Sequence, residues 1–270
     1  DESGRPTAWT HRIAGSSIQA RFFPQAVKNG VDADAVESAA NPAYALGAMQ
    51  VEWIAQEPPG IPTAFWRGVG VTRSTFVVES FIDELAAHAK VDPLGYRLTL
   101  LERNSRARAV LELAASKAGW GTKLPRHRGR GIALCTGFGS FIAQVVEVAV
   151  GTHGAIAVTR VVCVVDCGLV VNPDTVRAQM QSGIIFGLSA ALYGEITLKD
   201  GRVQQSNFHD YRVLRMNESP PIEVHLINSV EAPGGVGEPA TSCVMPALTN
   251  AVYAATGKRV RKLPLVTAPV

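Results

Sequence analysis

The stretch 234–257, "GGVGEPATSCVMPALTNAVYAATG", places a glycine turn shortly before a helix in the C-terminal part of the sequence. Glycine carries no side chain and loses much backbone entropy on ordering, so this run predicts a turn that another object approaches closely. Glu238 is the single carboxylate of the turn, and Pro239 stiffens the chain directly after it. We expect the helix to begin at Pro246 and to end at Gly257. Glu238 is therefore a candidate catalytic acid or base.

The overall composition is that of a globular protein. Of the 270 residues, 47% are hydrophobic and 18% are charged, which suits one large domain or two smaller ones. The net charge of +3 is small, and the basic runs at 126–130 and 257–262 are typical of solvated surface, so we expect no nucleic-acid partner. No apolar run is long enough to cross a bilayer. The sequence has no initiating methionine and no apolar leader, so we expect it to begin after processing or within a longer polypeptide.

The four cysteines form neither a disulfide framework nor a zinc signature. Cys163 and Cys167 would share one face if the segment "CVVDC" (163–167) is a strand, but no second pair of cysteines or histidines lies near them to complete a metal site. We interpret these two, with Cys135 and Cys243, as buried free thiols, and we predict no metal bound directly by side chains.

Hydrophobic periodicity predicts an α+β fold. The first 65 or so residues contain many turn signals and few periodic runs, so we interpret them as loops that pack around a core formed by other residues. Helices and strands are predicted in the remainder. The predicted helices begin at Ser80 and Asp92 and cover 106–118 and 173–192, in addition to the C-terminal helix. The predicted strands lie at 129–135, 142–150, 156–166 and 222–227, with a hairpin at 200–201. A domain boundary is expected between 104 and 130.

The helix 173–192 carries an unusual bare face. Gly183 and Gly187 lie one turn apart, and each costs about 1 kcal/mol relative to alanine in a helix. Close packing of this helix on a neighbouring element is one explanation for them. Gln179 projects from the same face, and Asn172 precedes Pro173 as a helix cap, which together also suit a polar, anionic ligand.

Two further glycine turns lie beside aromatic residues. The segment "TAFWRGVGVT" (63–72) places Arg67 directly before Gly68, Val69 and Gly70, and "GFGSF" (137–141) contains two phenylalanines. The segment 63–72 is also compatible with an ordinary surface turn that carries an exposed arginine. Backbone amides and a cation at a glycine turn also bind anions well. Three glycine turns and one isolated carboxylate favour a large cofactor that is held by backbone and served by one acid or base.

Three long segments carry a specific resemblance. They are 65–86 "FWRGVGVTRSTFVVESFIDELA", 164–196 "VVDCGLVVNPDTVRAQMQSGIIFGLSAALYGEI" and 235–265 "GVGEPATSCVMPALTNAVYAATGKRVRKLPL". In this order they resemble the molybdopterin-binding large subunit of the xanthine dehydrogenase family, especially its isoquinoline 1-oxidoreductase and bacterial aldehyde dehydrogenase members. The resemblance covers essentially the whole chain.

The resemblance implies a fold and a place in a larger polypeptide. The fold is the α+β type of molybdenum hydroxylase large subunits, with mixed sheets and packed helices. Residues 1–104 correspond to the end of a first molybdopterin-binding domain, and residues 105–270 correspond to a second. The family's glycine-rich loops of the G-G-x-F-G-G and M-G-Q-G kinds have no match here. We therefore expect this chain to be the C-terminal part of a large subunit and to be inactive alone.

The resemblance also implies roles for individual residues. Glu238 matches the family's catalytic glutamate, which acts as a general base. Phe138 and Phe141 approximate an aromatic wall of the substrate pocket. At Val69 the sequence departs from purine-oxidising members, which carry a phenylalanine that stacks on the substrate, and this argues against xanthine. The cofactor-binding residues that the resemblance implies are Arg67, Gly68, Val69, Gly70, Gln179 and Gly237.

The cofactors and partners that the resemblance implies lie outside this chain. We expect a molybdenum–molybdopterin cofactor, in its cytosine dinucleotide form, and iron–sulfur clusters on a small subunit, since the sequence has no cluster-ligation pattern. The N-terminal part of the same large subunit, a cytochrome c acceptor and a small-molecule substrate, either an aldehyde or an N-heteroaromatic compound, complete the expected partners. The alternative is a fragment or non-catalytic binding module that folds without cofactor. A bacterial periplasm is favoured over the cytoplasm.

Overall fold

The computed structural model describes residues 1–103 and 105–265, and it confirms the predicted α+β class. The strands in these residues are β1 (Ala8–Gly15), β2 (Ala48–Ala55), β3 (Arg128–Gly137), β4 (Ser140–Val150), β5 (Ile156–Asp166), β6 (Leu198–Lys199), β7 (Arg202–Val203) and β8 (Ile222–Leu226). The α-helices are α1 (Ile18–Phe22), α2 (Ala33–Val36), α3 (Val69–Ala89), α4 (Pro93–Thr99), α5 (Arg106–Ala118), α6 (Pro173–Tyr193) and α7 (Pro239–Thr256).

A four-stranded mixed sheet with the order β3-β4-β5-β8 forms the centre of the protein. The first three strands are antiparallel neighbours, whereas β8 runs parallel to β5, so the chain must cross over between them, and α6 lies in this crossover. Both faces of the sheet are covered. Along β3, Ala133 and Cys135 pack towards α6 and α7, whereas Ile132 and Leu134 pack on the opposite face with α5.

Helix α7 lies almost directly on the backbone of β3. A Cβ atom added at Gly129 would lie 2.0 Å from the Ala251 carbonyl oxygen, and one added at Gly131 would lie 2.2 Å from the Ala251 amide nitrogen. Only glycine allows this approach, because any side chain at either position would overlap the helix backbone. The two glycines thereby fix the position of α7 on the sheet.

Helix α6 packs closely on α7, as the sequence predicts. A Cβ atom at Gly187 would lie 2.5 Å from Val244 Cγ1, and one at Gly183 would lie 2.9 Å from Ala240 Cβ. Asn172 caps α6 through its side-chain oxygen, which accepts hydrogen bonds from the two backbone amides that follow Pro173. The bare face is therefore a helix–helix contact.

Helix α3 links the two layers that cover the sheet. Val71 in its first turn belongs to the core with α6 and α7, whereas Ile82 further along belongs to the core with α5. Arg97 of α4 is completely buried, and its guanidinium binds the α3 carboxylates of Glu79 at 2.9 Å and Asp83 at 3.3 Å. Such a fully partnered charge can lie in a core without an uncompensated desolvation cost.

The C-terminal basic run joins the same charge network. The Arg259 guanidinium binds Asp83 at 2.6 Å, and its side chain is only 13% exposed. The expectation of solvated surface at 257–262 is therefore wrong at this arginine, because two carboxylate oxygens of one aspartate neutralise cations from two distant segments.

The N-terminal segment is more regular than predicted. Strands β1 and β2 pair in parallel over their whole length, so the interpretation of residues 1–65 as loops is wrong. Trp9 and Ile13 of β1 are buried, and Trp9 packs edge-on against Phe81 of α3 with ring centroids 5.2 Å apart. Turn residues flank β1 on both sides, so the alternation of its buried and exposed residues is hard to recognise in the sequence. Packing on α3 buries one face of β1 and thereby stabilises the strand.

Two predicted helix starts are also wrong. Helix α3 begins at Val69 rather than Ser80, because its glycine and β-branched residues have low intrinsic helix propensity but pack against α7. Helix α7 begins at Pro239 rather than Pro246, which lies inside the helix. An internal proline removes one helix hydrogen bond, and continuous burial of α7 on the sheet and α6 compensates for this loss.

All four cysteines are buried free thiols, which confirms their interpretation. Burial raises the pKa of Cys135 and of Cys163 to about 12, so both remain protonated at neutral pH. Among the helices in the described residues, none combines the length and the apolar character needed to cross a membrane. The predicted division into domains at residue 104 stays a prediction.

Candidate active site

Glu238 lies where the first turns of two long helices meet. It occupies the N-cap position of α7, and its Oε1 atom accepts a hydrogen bond of 2.9 Å from the backbone amide of Gly68, the N-cap residue of α3. The N-terminus of a helix carries partial positive charge, which favours a carboxylate at this position. No hydrogen bond within the described residues occupies the second carboxylate oxygen, Oε2, which is therefore available to a ligand.

Arg67 fixes the turn before Glu238. Its Nε atom donates to the Gly237 carbonyl oxygen at 2.7 Å, and its Nη1 atom donates to the Ser182 hydroxyl of α6 at 3.1 Å. The guanidinium also lies over the Phe186 ring, 5.7 Å from its centroid. One half-buried side chain thus connects three segments that are far apart in the sequence.

Two hydroxyl groups join α3 and α7 behind the carboxylate. Thr72 Oγ1 donates to the Arg67 carbonyl oxygen at 3.2 Å and lies 2.8 Å from Ser242 Oγ. Because the Thr72 proton is used in the first bond, Ser242 donates the second. A Cβ atom at Gly68 would lie only 2.0 Å from Thr72 Oγ1, and Gly68 has φ = 93°, so both space and backbone conformation require glycine here.

Val69 has an unfavourable backbone conformation. Its φ of 41° lies in the left-handed region that β-branched residues rarely adopt, and its amide donates to the Trp66 carbonyl oxygen at 2.8 Å. Gly70 follows it, and a Cβ atom there would lie 1.6 Å from the Asp34 carbonyl oxygen. The segment 67–70 at the start of α3 is therefore held in a strained, tightly packed form next to Glu238, and strain of this kind concentrates at functional sites.

Gln179 lies on the other side of the glycine turn. Its Nε2 atom would be 3.9 Å from a Cβ atom built on Gly237, so the space above this glycine is open. The amide of Gln179 is half-buried and has no hydrogen-bond partner within the described residues. Glu238, Arg67, Gln179 and Gly237, which the sequence proposes separately, thus lie together at one place.

The first glycines of the turn contact the chain itself. The Gly234 amide donates to Cys167 at 2.8 Å and the Gly235 amide donates to Phe138 at 2.7 Å, both to backbone carbonyl oxygens. A Cβ atom at Gly234 would lie 2.6 Å from the backbone of Gly139. The object that approaches Gly234 and Gly235 is therefore the β3–β4 turn, whereas Gly237 stays open.

The two phenylalanines proposed as one substrate wall are separated. Phe138 lies at the glycine turn and packs towards α6 and α7. Phe141 packs on the opposite side of the sheet, where Arg106 lies over its ring at 4.6 Å from the centroid. Residues on a strand alternate between faces, and the β3–β4 turn adds the offset that separates this pair. Phe138 thus lies against Gly235 of the glycine turn, and Phe141 lies on the other face of the sheet.

Glu37 lies close to the candidate site, and the sequence analysis does not mark it. It is half-buried at the end of α2, and burial raises the pKa of its carboxyl group, with further contributions from the negative charges of Asp34 and Glu238. No local signal in the sequence marks it, because it lies in the segment interpreted as loops. Contact between α2 and the first turn of α3 brings it close to the site.

The side chains at the site suit an organic, anionic cofactor better than a protein-bound metal ion. In the described residues, no three His, Cys, Asp or Glu side chains form a cluster that could hold a metal. The site instead offers a guanidinium, an unpartnered amide and an open glycine backbone. A pterin with phosphate groups needs donors of this kind, so the residues fit one face of such a cofactor.

Comparison with known proteins identifies the type of domain. Residues 106–220 match the molybdopterin cofactor-binding domain. The beta chain of isoquinoline 1-oxidoreductase from Brevundimonas diminuta is 33% identical over 281 residues, which cover 98% of this chain. One of the subunits of nicotinate dehydrogenase from Pseudomonas putida is 35% identical over 231 residues, which cover 78% of this chain. The chain spans only 34% and 19% of the lengths of these two relatives.

A solved structure supports the same fold. Quinoline 2-oxidoreductase from Pseudomonas putida 86 superposes with a TM-score of 0.82 over 100% of this chain and 61% of that chain, at 13% sequence identity. The fold is thus that of molybdenum hydroxylase chains, as the sequence predicts. With the domain match and the two relatives, this shows that the chain belongs to the molybdopterin-binding large subunits of the xanthine dehydrogenase family.

Proposed function

We propose that this chain provides the residues for acid–base catalysis in the active site of a molybdenum hydroxylase. The enzyme would oxidise an aldehyde or an N-heteroaromatic compound, with water as the source of oxygen. One observation carries the proposal: the Glu238 carboxylate is fixed through Oε1 on the Gly68 amide, with Oε2 free, and it directly follows Gly237, which binds Arg67 and lies beside Gln179. The names of the relatives, an isoquinoline oxidoreductase and a nicotinate dehydrogenase, support this substrate class.

The molybdenum–pterin group would be held from this side by three features. The Gln179 amide is free to bind a polar edge of the pterin. The Arg67 guanidinium has its Nη2 group left after its bonds to Gly237 and Ser182, and it can bind an anionic group. Gly237 presents backbone without a side chain, so a flat ligand can approach it. When bound, the group supplies the acceptor for the electrons that leave the substrate.

The residues of this chain would accept the proton that the reaction releases and would hold the accepting group in position. Glu238 Oε2 takes the proton from the water that is added to the electron-poor carbon, and a positioned base of this kind typically contributes about 10²–10⁴-fold in rate. The Gly68 amide prevents rotation of the carboxylate by holding Oε1. Arg67 keeps Glu238 in place through the Gly237 carbonyl oxygen. The contact between the starts of α3 and α7 thus orients the base.

The remaining parts of the proposal rest on the family resemblance. We propose the cytosine dinucleotide form of the cofactor, iron–sulfur clusters on a small subunit, a cytochrome c acceptor and the N-terminal part of a large subunit as partners. The periplasm is the proposed compartment, with the cytoplasm as the alternative. In this arrangement the chain alone would be inactive.

The decisive experiment measures metal, pterin and oxygen transfer in the purified enzyme that contains this chain. We expect stoichiometric molybdenum and pterin, and oxidation of members of a panel of aldehydes and N-heteroaromatic compounds. With ¹⁸O-labelled water, the label should appear in the product. Label entering from O₂ instead, or turnover without molybdenum, would exclude the proposed reaction.

A second candidate is a chain that folds but binds no cofactor by itself. It is favoured by the fraction of the relatives' length that this chain spans, about a third in the isoquinoline oxidoreductase relative. A ligand held by only part of its contacts loses affinity steeply, about tenfold for every 1.4 kcal/mol. Elemental analysis of the isolated 270-residue chain should then find no stoichiometric molybdenum. About one molybdenum per chain, in the absence of any other polypeptide, would reject this candidate.

A further inference from the structure

Glu37 and Glu238 approach the same turn of α3 from different parts of the chain. A Cβ atom built on Gly70 would lie 1.6 Å from the Asp34 carbonyl oxygen and 3.3 Å from Glu37 Cβ. The segment 34–37 is thus packed against the turn whose Gly68 amide binds the Glu238 carboxylate. Both glutamates therefore lie beside the first turn of α3, although 201 positions separate them in the sequence.

Within the described residues, no positive charge neutralises Glu37. Its carboxylate has no hydrogen bond or ion pair in this part of the chain. The guanidinium of Arg73 binds the Ala35 carbonyl oxygen at 2.6 Å, and that of Arg67 binds Gly237 and Ser182. The titratable groups that act on Glu37 are the carboxylates of Asp34 and Glu238.

This environment makes Glu37 a better proton acceptor than an ordinary surface glutamate. Burial first, and then the charges of Asp34 and Glu238, raise the pKa of its carboxyl group above the usual 4.5. Within this chain the side chain is only half-buried, so part of it is open to solvent. A group with raised proton affinity and access to solvent can receive a proton from a neighbour and release it to bulk water.

We propose that Glu37 is the proton relay of this site. A base that accepts a proton in every turnover must lose it before the next one. Glu238 holds Oε1 on the Gly68 amide, so Oε2 is the atom that gains and loses the proton. Glu37 receives this proton through intervening solvent and passes it to bulk water, which leaves both carboxylates ready for the next cycle. This role rests on the proposed function of Glu238.

The kinetic test compares Glu37→Gln with Glu57→Gln in the purified, molybdenum-loaded enzyme. Glu57 is an exposed glutamate whose Oε1 accepts the Ser17 amide, and glutamine can keep this bond. We expect Glu37→Gln to lower kcat about tenfold or more, with KM changed much less, and Glu57→Gln to match the wild type. Small diffusible buffer acids and bases should restore part of the lost rate, because they can replace a relay but cannot repair a structural defect.

A second variant distinguishes loss of the relay from a folding defect. Glu37→Asp retains a carboxylate with shorter reach, so it should keep more of the rate than Glu37→Gln, with the same circular dichroism spectrum and molybdenum content as the wild type. Equal rates for the wild type and Glu37→Gln, or a loss that no buffer restores, would overturn the relay. A wild-type enzyme without molybdenum or turnover would instead overturn the proposed function on which the relay rests.

A measurement without turnover tests the coupling itself. Infrared difference spectra between the wild type and Glu37→Gln should show one carboxylic acid band that titrates above the usual 4.5 of a glutamate. In a Glu238→Gln background the midpoint of this band should fall, because the neighbouring negative charge is removed. An unchanged midpoint would show that the two carboxylates do not interact, and the relay would have to be abandoned.

Discussion

The Glu238 carboxylate accepts a hydrogen bond of 2.9 Å from the Gly68 amide, although the two residues lie 170 positions apart in the sequence. Each is the N-cap residue of a long helix, α7 or α3, so one bond ties the starts of both helices together. Arg67 and Thr72 add bonds on either side of it. The candidate base is thereby oriented by the packing of two helices and does not depend on a mobile loop.

Replacing Glu238 by glutamine should remove turnover and retain the cofactor. The amide oxygen can still accept the Gly68 hydrogen bond, so the helix junction stays intact, but the amide cannot accept a proton at neutral pH. We expect kcat to fall by about 10²-fold or more, measured by steady-state kinetics beside the molybdenum and pterin content. Turnover within tenfold of the wild type would show that Glu238 is not the base.

Enlarging Gly187 should destabilise the α6–α7 contact. A leucine there would overlap Val244 Cγ1 and the Thr241 carbonyl oxygen, which a Cβ atom alone would approach to 2.5 and 2.7 Å. We expect a loss of about 1–3 kcal/mol in the free energy of unfolding, measured by denaturant titration. Gly95→Ala in α4 is the control, since its nearest neighbour would be 3.8 Å away and alanine should stabilise the helix. Unchanged stability in the Gly187 variant would disprove the close contact.

Val69→Gly should increase stability, contrary to the usual effect of glycine in a helix. The φ of 41° at Val69 is unfavourable for a β-branched side chain and normal for glycine, so we expect a gain of about 1 kcal/mol in the free energy of unfolding. Val77→Gly, at an exposed position inside the same helix, should lose about 0.5 kcal/mol. If both variants lose stability equally, the Val69 backbone is not strained.

Asp166→Asn should cost stability in a pH-dependent way. The Arg106 guanidinium binds both oxygens of Asp166, at 2.7 and 2.8 Å, and holds the pKa of this carboxyl below its usual 3.8. A lowered pKa means that the ion pair stabilises the fold fully above pH 3.8 and that this contribution is lost as the pH falls through the lowered value.

We therefore expect Asp166→Asn to lower the free energy of unfolding by about 1–2 kcal/mol at neutral pH, and this loss should become smaller below about pH 4. Denaturant titrations of the variant and the wild type at several pH values measure it. Glu52→Gln is the matched control, because its partner Arg12 is 65% exposed and such surface pairs contribute little. A constant difference at all pH values would mean that the charge of Asp166 is not involved.

The sequence alone predicts those elements whose local hydrophobic pattern agrees with their burial in the fold. Helix α5 and the strands β3 to β5 lie where their periodicity places them, and Asn172 followed by Pro173 correctly marks the start of α6. The family and the candidates Arg67, Gln179 and Glu238 also follow from the sequence, because they lie in long segments whose order is specific.

The remaining features depend on contacts between segments that are distant in the sequence. The starts of α3 and α7 contradict local propensity, because burial against each other stabilises glycine, β-branched residues and an internal proline in helices. Phe138 and Phe141 separate because a turn places them on different faces of the sheet. Glu37 joins Glu238 only because α2 packs on α3. Local sequence encodes backbone preference over a few residues, whereas desolvation and charge interactions act between whichever groups the fold brings together.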